Sequence, residues 1–280
     1  MPATEINGCS IAYELLGDGI PLVLTPGSRN PMVAIRHIAE ALATRGFRVL
    51  LWDRANVGES DVQFIGARDL DLWSDQLVGL MRRLDFGPAY LSAPSAGSRV
   101  SYVTALHYPE LVRGMYLWLV SGGPVGQQLG WNYYGQHAEQ AEAGGMQAVI
   151  ESAYWAERIA ANPANRGRLL GMDAREFASV MRRWQSGIRV DDPVFGATED
   201  DLRRISVRTG ILVPPAVDTG HPRAASERLA ELLPNAELVY SAEFEEEWPP
   251  LQQQALANYE KPKTLPNLIA DWIQRTERSG

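Results

Sequence analysis

Apolar residues recur along this chain in two alternating periods. Short continuous runs at Ile20–Thr25, Phe47–Trp52, Ala89–Leu91, Met115–Val120, Ile211–Val217 and Ala236–Tyr240 are β-rich and bounded by turn residues. Such runs predict strands buried on both faces, as in a parallel sheet. The opening segment, Ala3–Leu16, sets Asn7-Gly8 between two short runs, which predicts a tight hairpin. Helical periods lie between the strands. Trp73, Leu77, Leu80, Met81 and Leu84 share one face of a helix. Ala96–His107 predicts a second helix stopped by Pro109, which cannot continue it. Ala224–Leu233 predicts a third, after His221-Pro222 and before Pro234. The alternation predicts an α/β fold with a mostly parallel central sheet flanked by helices.

One stretch interrupts the pattern. From about Pro124 to about Val194 the chain has helical patterning and no convincing strand, and it is rich in aromatics such as Trp131, Tyr133, Tyr134, Trp155 and Trp184. Gly144-Gly145, Asn162-Pro163 and Asp192-Pro193 punctuate it into several short helices. The expected organisation is a first core segment, 1–123, an inserted helical cap, 124–194, and a second core segment, 195–280.

Composition narrows the class. With 280 residues, 45% hydrophobic and 21% charged, the chain fits a globular α/β protein rather than a disordered or fibrous one. A net charge of −8 without a basic run argues against a nucleic-acid partner. The single cysteine, Cys9, excludes an internal disulfide and a thiolate metal cluster. Four histidines leave little for a metal site, so neither metal nor cofactor is expected. No apolar run approaches the roughly 18 residues of a membrane span. Residues 1–20 lack a basic start followed by an apolar core, so no secretory leader is expected. The expectation is a soluble, cytoplasmic protein with a small-molecule partner; its oligomeric state is left open, a homodimer among the options.

Chemistry concentrates where a predicted strand meets a predicted helix. Leu91-Ser92-Ala93-Pro94-Ser95-Ala96-Gly97 is a small-x-Ser-x-Gly sequence that fits a nucleophile elbow. A large side chain at Ala93 or Gly97 would strike the neighbouring strand or helix. The turn projects the serine hydroxyl and aims a helix amino terminus at it, favouring developing negative charge. Upstream, Leu22-Val23-Leu24-Thr25-Pro26-Gly27-Ser28 is a strand ending in a glycine turn able to present an N–H to an oxyanion. Asp53-Arg54-Ala55-Asn56-Val57-Gly58-Glu59-Ser60 follows another strand, and Asp218 sits just beyond a third.

In this order the segments resemble the α/β-hydrolase superfamily over nearly the whole chain outside the insertion. The resemblance is closest to members with a helical cap, such as the proline-iminopeptidase-like, haloperoxidase-like and C–C-bond hydrolases. It implies that Ser95 is the nucleophile, Asp218 the triad acid, and the backbone N–H groups of Ala96 and Ser28 the oxyanion hole. It gives Asp53, Arg54, Gly58 and Ser60 structural roles and makes the helical insertion a lid over the substrate.

The chain departs from that family at one place. The loop after the last strand, Ser241-Ala242-Glu243-Phe244-Glu245-Glu246-Glu247-Trp248-Pro249-Pro250, holds no histidine, and none occurs after His221. A serine hydroxyl without a base is a poor nucleophile near neutral pH. Two substitutes are open. His221, three residues beyond Asp218, is one. Glu247, in an acidic run beside apolar Trp248, is the other, although the register among Glu245–Glu247 is not set by sequence. His37 and His107 read as packing or surface residues, and His137 as either a solvated histidine or one pointing into the pocket. Arg29, beside Ser28, reads as a surface charge or as a grip on a substrate carboxylate or enolate. Trp131, Tyr134 and Trp155 are candidate contacts to an apolar or aromatic substrate. The leading expectation is acyl transfer or C–C cleavage on such a substrate, at an ester, thioester, lactone or amide, with a degenerate triad. A lyase, cyclase or decarboxylating enzyme that does not acylate serine, and a ligand-binding pseudoenzyme, remain alternatives.

Overall fold

The computed structural model describes residues 1–192, 194–248 and 263–279. Pro193, Pro249 and Pro250, which carried two of the sequence readings, lie outside them. Eight strands form one sheet: β1 (Ala3–Ile6), β2 (Cys9–Leu16), β3 (Ile20–Leu24), β4 (Phe47–Trp52), β5 (Ala89–Pro94), β6 (Val112–Trp118), β7 (Thr209–Leu212) and β8 (Ala236–Val239). Their spatial order is β1-β2-β4-β3-β5-β6-β7-β8. β1 and β2 pair antiparallel, as do β2 and β4, and every pairing from β4 to β8 is parallel. The predicted hairpin is present, with Asn7 and Gly8 both at positive φ (52° and 75°), the backbone that a tight two-residue turn requires.

Alternation within each apolar run divides two cores. On one face, α1 (Arg36–Ala43) and the carboxy-terminal α12 (Leu265–Ser279) cover Leu22, Leu24, Val49 and Leu51. On the other, α2 (Asp69–Arg83), α3 (Ser95–His107) and α10 (Arg223–Leu232) cover Val23, Leu50, Leu91 and Leu117. Because successive strand side chains face opposite ways, only an unbroken apolar run can fill both layers. That is why these strands read as continuous rather than alternating.

Between β6 and β7 the chain leaves the sheet. It forms α4 (Val125–Gly130), a π-helical turn (Trp131–Gly135), α5 (Gln136–Glu151), α6 (Ala153–Ala161), α7 (Ala164–Leu170), α8 (Ala174–Ser186) and α9 (Glu199–Arg204). Helix α5 is broken internally at Gly144 and Gly145, the latter at φ 67°. Most of the predicted aromatics pack inward: Phe64, from the core, meets Trp155, Phe177 and Trp184 at ring separations of 5.6, 4.9 and 5.9 Å. Polar ties hold the insertion to the loop after β4. Arg158 Nε donates to Asn56 O (3.1 Å) and Asn165 Nδ2 to Ser60 O (3.0 Å), while Val62 N donates to Asn165 Oδ1 (3.0 Å). Among the described residues no helix is long and apolar enough to cross a membrane.

Candidate active site

Ser95 occupies the corner between β5 and α3 with φ 48°, a left-handed backbone that a non-glycine residue adopts only when its surroundings impose it. The imposition is visible. Its N–H donates to Leu119 O just beyond β6 (3.1 Å), and Gly97 lets the first turn of α3 close on the end of β3. A Cβ at Gly97 would sit 2.4 Å from Thr25 O, 2.8 Å from Pro26 O and 2.9 Å from Ala93 Cβ. Glycine at position 97 is therefore required by contact.

The β3 loop lies alongside this corner. Gly27 packs on Pro94, where a Cβ would come within 3.1 Å of its ring. Ser28, next along, has φ 46°. Arg54 Nη2 donates to Ser28 O (2.9 Å), and Met32 N donates to Asp53 Oδ1 (2.6 Å), so the loop after β4 fixes the loop after β3. Asp53 also accepts from Glu59 N (2.9 Å), and Ser60 Oγ joins the Asp53 carbonyl (2.7 Å) to the N–H of Ala12 (2.9 Å). Gly58, at φ 57°, has room for no side chain, since a Cβ would lie 2.0 Å from the Asp53 carboxylate. Burial pushes the Asp53 carboxyl up to about 6.

Ser95 and Ser28 open onto a cavity of about 250 Å³. Its walls are largely apolar, with Ile35 and Ile38 near α1, Trp118 and Leu119 after β6, and Phe244 and Trp248 from the loop after β8. Two histidines, His37 and His221, share the lining, and among the described residues no Asp, Glu, Lys or Arg does.

The carboxylate after β7 reaches the cavity through one of those histidines. Asp218 is buried, at 8% exposure. One of its oxygens accepts the backbone N–H groups of Gly220 (2.9 Å) and His221 (3.1 Å), and the other lies 2.9 Å from His221 Nδ1. A ring whose Nδ1–H donates to a carboxylate keeps Nε2 as its proton acceptor.

Several residues stand elsewhere than the sequence suggested. The acidic run forms α11 (Ala242–Glu246), whose buried Phe244 faces the cavity together with Trp248. Glu247 is not among the residues lining it and accepts the N–H of Thr264 (3.0 Å), and Glu245 pairs with Arg223 (2.8 Å). The apolar i, i+4 spacing of Phe244 and Trp248 within that run was the available signal. Arg29 is neither a surface charge nor a free grip. It is buried against Asp69 (2.8 Å) and stacks over Trp73 and Tyr133, 4.5 and 4.7 Å from the ring centres, because a buried guanidinium needs a counter-charge and π faces.

None of the described insertion residues lines the cavity. His137 is fully buried beside Tyr154 (ring separation 4.4 Å), shares a hydrogen bond between Nδ1 and Gln140 Oε1 (3.2 Å), and burial pushes its pKa down to about 4. Tyr134 donates to Asp69 (2.5 Å), Trp155 belongs to the aromatic cluster with Phe64, and Trp131 is 39% exposed. His37, read as packing or surface, lines the cavity. His107, ending α3, does not.

This arrangement is that of the α/β-hydrolase fold, and comparison with known proteins agrees. A thermophilic esterase from Thermogutta terrifontis superposes with a TM-score of 0.64 and 21% identity, covering 98% of this chain and 97% of the other. A meta-cleavage product hydrolase from Pseudomonas fluorescens IP01 gives a TM-score of 0.67 and 20% identity over 98% of both chains. In sequence, the uncharacterized hydrolase YraK of Bacillus subtilis (strain 168) is 26% identical over 140 residues, 49% of this chain and 48% of that relative, so the match spans about half the relative's length. No family model matches the chain.

Proposed function

We propose that the protein hydrolyses an acyl bond, an ester or lactone in the first instance, of a small, uncharged, apolar molecule. Ser95 serves as nucleophile and His221, held by Asp218, as the base. The 2.9 Å contact between Asp218 Oδ2 and His221 Nδ1, on a histidine that lines the same cavity as Ser95, carries this reading. It replaces the histidine missing after β8 with one from the acid's own loop. The lining, mainly apolar and without Asp, Glu, Lys or Arg among the described residues, supports the substrate class. Similarity in fold to an esterase and to a meta-cleavage product hydrolase is compatible with acyl or C–C chemistry.

In this mechanism His221 Nε2 takes the Ser95 hydroxyl proton as Oγ attacks the substrate carbonyl carbon. The oxygen, now an alkoxide, is held by the N–H groups of Ala96 and Ser28. Collapse expels the alcohol, which leaves with the proton returned from His221. Water then repeats the cycle on the acyl-enzyme and releases the acid, restoring Ser95.

The test combines a fluorophosphonate probe with a panel of short p-nitrophenyl esters. Wild type is expected to be labelled at Ser95, and His221→Asn to lose roughly 100-fold or more in labelling rate, the lower range for removing a general base. An unlabelled Ser95, or a His221→Asn protein labelled as fast as wild type, overturns the assignment. Ester hydrolysis that survives Ser95→Ala points instead to the non-acylating alternative.

A further inference from the structure

Among its described residues the insertion lines no part of the cavity, yet it holds the proposed oxyanion loop directly: Tyr133 Oη lies 2.6 Å from Ser28 Oγ, and Arg158 Nη2 donates to Arg29 O (3.1 Å). We propose that Tyr133 is a positioning residue that locks Ser28 in its oxyanion-binding conformation, so that the helical insertion completes the site without contacting substrate. The inference rests on the serine-hydrolase reading above.

Three observations converge on it. Ser28 holds φ 46°, a conformation unfavourable for a residue with a Cβ and maintained only where neighbours over-determine it. Its carbonyl is held from the core by Arg54 (2.9 Å), and its hydroxyl is held from the insertion by Tyr133. Tyr133 belongs to a single π-helical turn, Trp131–Gly135, an irregularity that shifts side-chain direction and is frequent at functional sites. The next residue of that turn, Tyr134, bonds Asp69 (2.5 Å), and Asp69 pairs with Arg29 (2.8 Å). Consecutive tyrosines of one turn thus tie down consecutive residues, Ser28 and Arg29, of the oxyanion loop. Ser28 relaxing out of the left-handed region would swing the peptide whose N–H faces the reacting oxygen.

Tyr133→Phe removes one hydroxyl and keeps the ring over Arg29. The expected result is a fall of about tenfold in kcat and in fluorophosphonate labelling rate, smaller than the roughly 100-fold or greater loss for deleting an oxyanion donor. KM and melting temperature stay at wild-type values, which a merely structural tyrosine would not produce. Glycine accepts φ 46° without a latch, so in a Ser28→Gly background Tyr133→Phe is expected to cost nothing further. A Tyr133→Phe protein labelled at the wild-type rate, or one losing as much in the Ser28→Gly background, overturns the inference while leaving the hydrolase reading intact. A wild type that the probe never labels overturns that reading and the inference together.

Discussion

Gly97→Ala is the sharpest perturbation of the elbow, because it adds one methyl at a position where backbone, not a flexible side chain, is in the way. The new Cβ would stand 2.4 Å from Thr25 O, 1.0 Å short of the 3.4 Å at which ordinary contact begins, with Pro26 O at 2.8 Å. Thr25 cannot retreat freely. Its N–H is bonded to Ser92 O (3.1 Å) and its Oγ1 accepts from Trp52 Nε1 (2.9 Å). Overpacking of this kind costs about 1–3 kcal/mol, and two obstructing carbonyls put Gly97→Ala at the upper end. At roughly 2–4 °C per kcal/mol for a chain of this size, melting should fall by roughly 6–12 °C. The same ångström of displacement acts on the loop leading to Ser28, and misplacement on that scale costs about 100-fold in rate. Thermal unfolding followed by circular dichroism, with fluorophosphonate labelling of the folded protein, reads both quantities. A variant that melts with wild type and is labelled as fast would refute the contact argument.

Three further outcomes are expected. Gly167→Ala, in α7 with nothing within 4 Å of the added Cβ, should stabilise by about 0.5–1 kcal/mol in denaturant titration, the opposite sign from Gly97→Ala. His137, pushed by burial from 6.5 to about 4, binds its proton in the unfolded chain first. Wild type should therefore lose stability relative to His137→Phe as pH drops from 6.5 towards 4, by up to about 3 kcal/mol; parallel stability curves across that window would remove the assignment. Asp53 shifts the other way over a similar range but is common to both proteins and cancels. Glu247→Gln should leave ester hydrolysis and Ser95 labelling unchanged, because the residue faces Thr264 rather than the cavity; a large drop in rate would restore it as a proton-transfer group.

What the sequence alone determined is what short range controls. An apolar run such as Phe47–Trp52 can serve only as a strand covered on both sides, whatever helices cover it. Asn7-Gly8 makes a turn by its own backbone preference. The spacing of small residues around Ser95 marks a strand–turn–helix corner, although the carbonyls that bar a side chain at Gly97, those of Thr25 and Pro26, come from a strand distant in sequence. The strand run and the Asn7-Gly8 turn depend on residues a few positions apart, so they survive ignorance of the rest of the fold.

The partners of long polar side chains were decided only by the tertiary structure. Arg29 sits beside Ser28 in sequence, but its direction depends on Asp69, 40 residues away. Whether Glu247 or Phe244 faces the cavity depends on how the short α11 is rotated about its axis. Asp218 and His221 are neighbours in sequence, yet that the imidazole turns both onto the carboxylate and into a cavity shared with Ser95, Trp118 and Phe244 is visible only in the assembled fold. Burial makes each such choice steep. A charge or hydrogen-bonding group removed from water must find a partner or bear the loss of hydration, and where that partner lies is a property of the assembled fold.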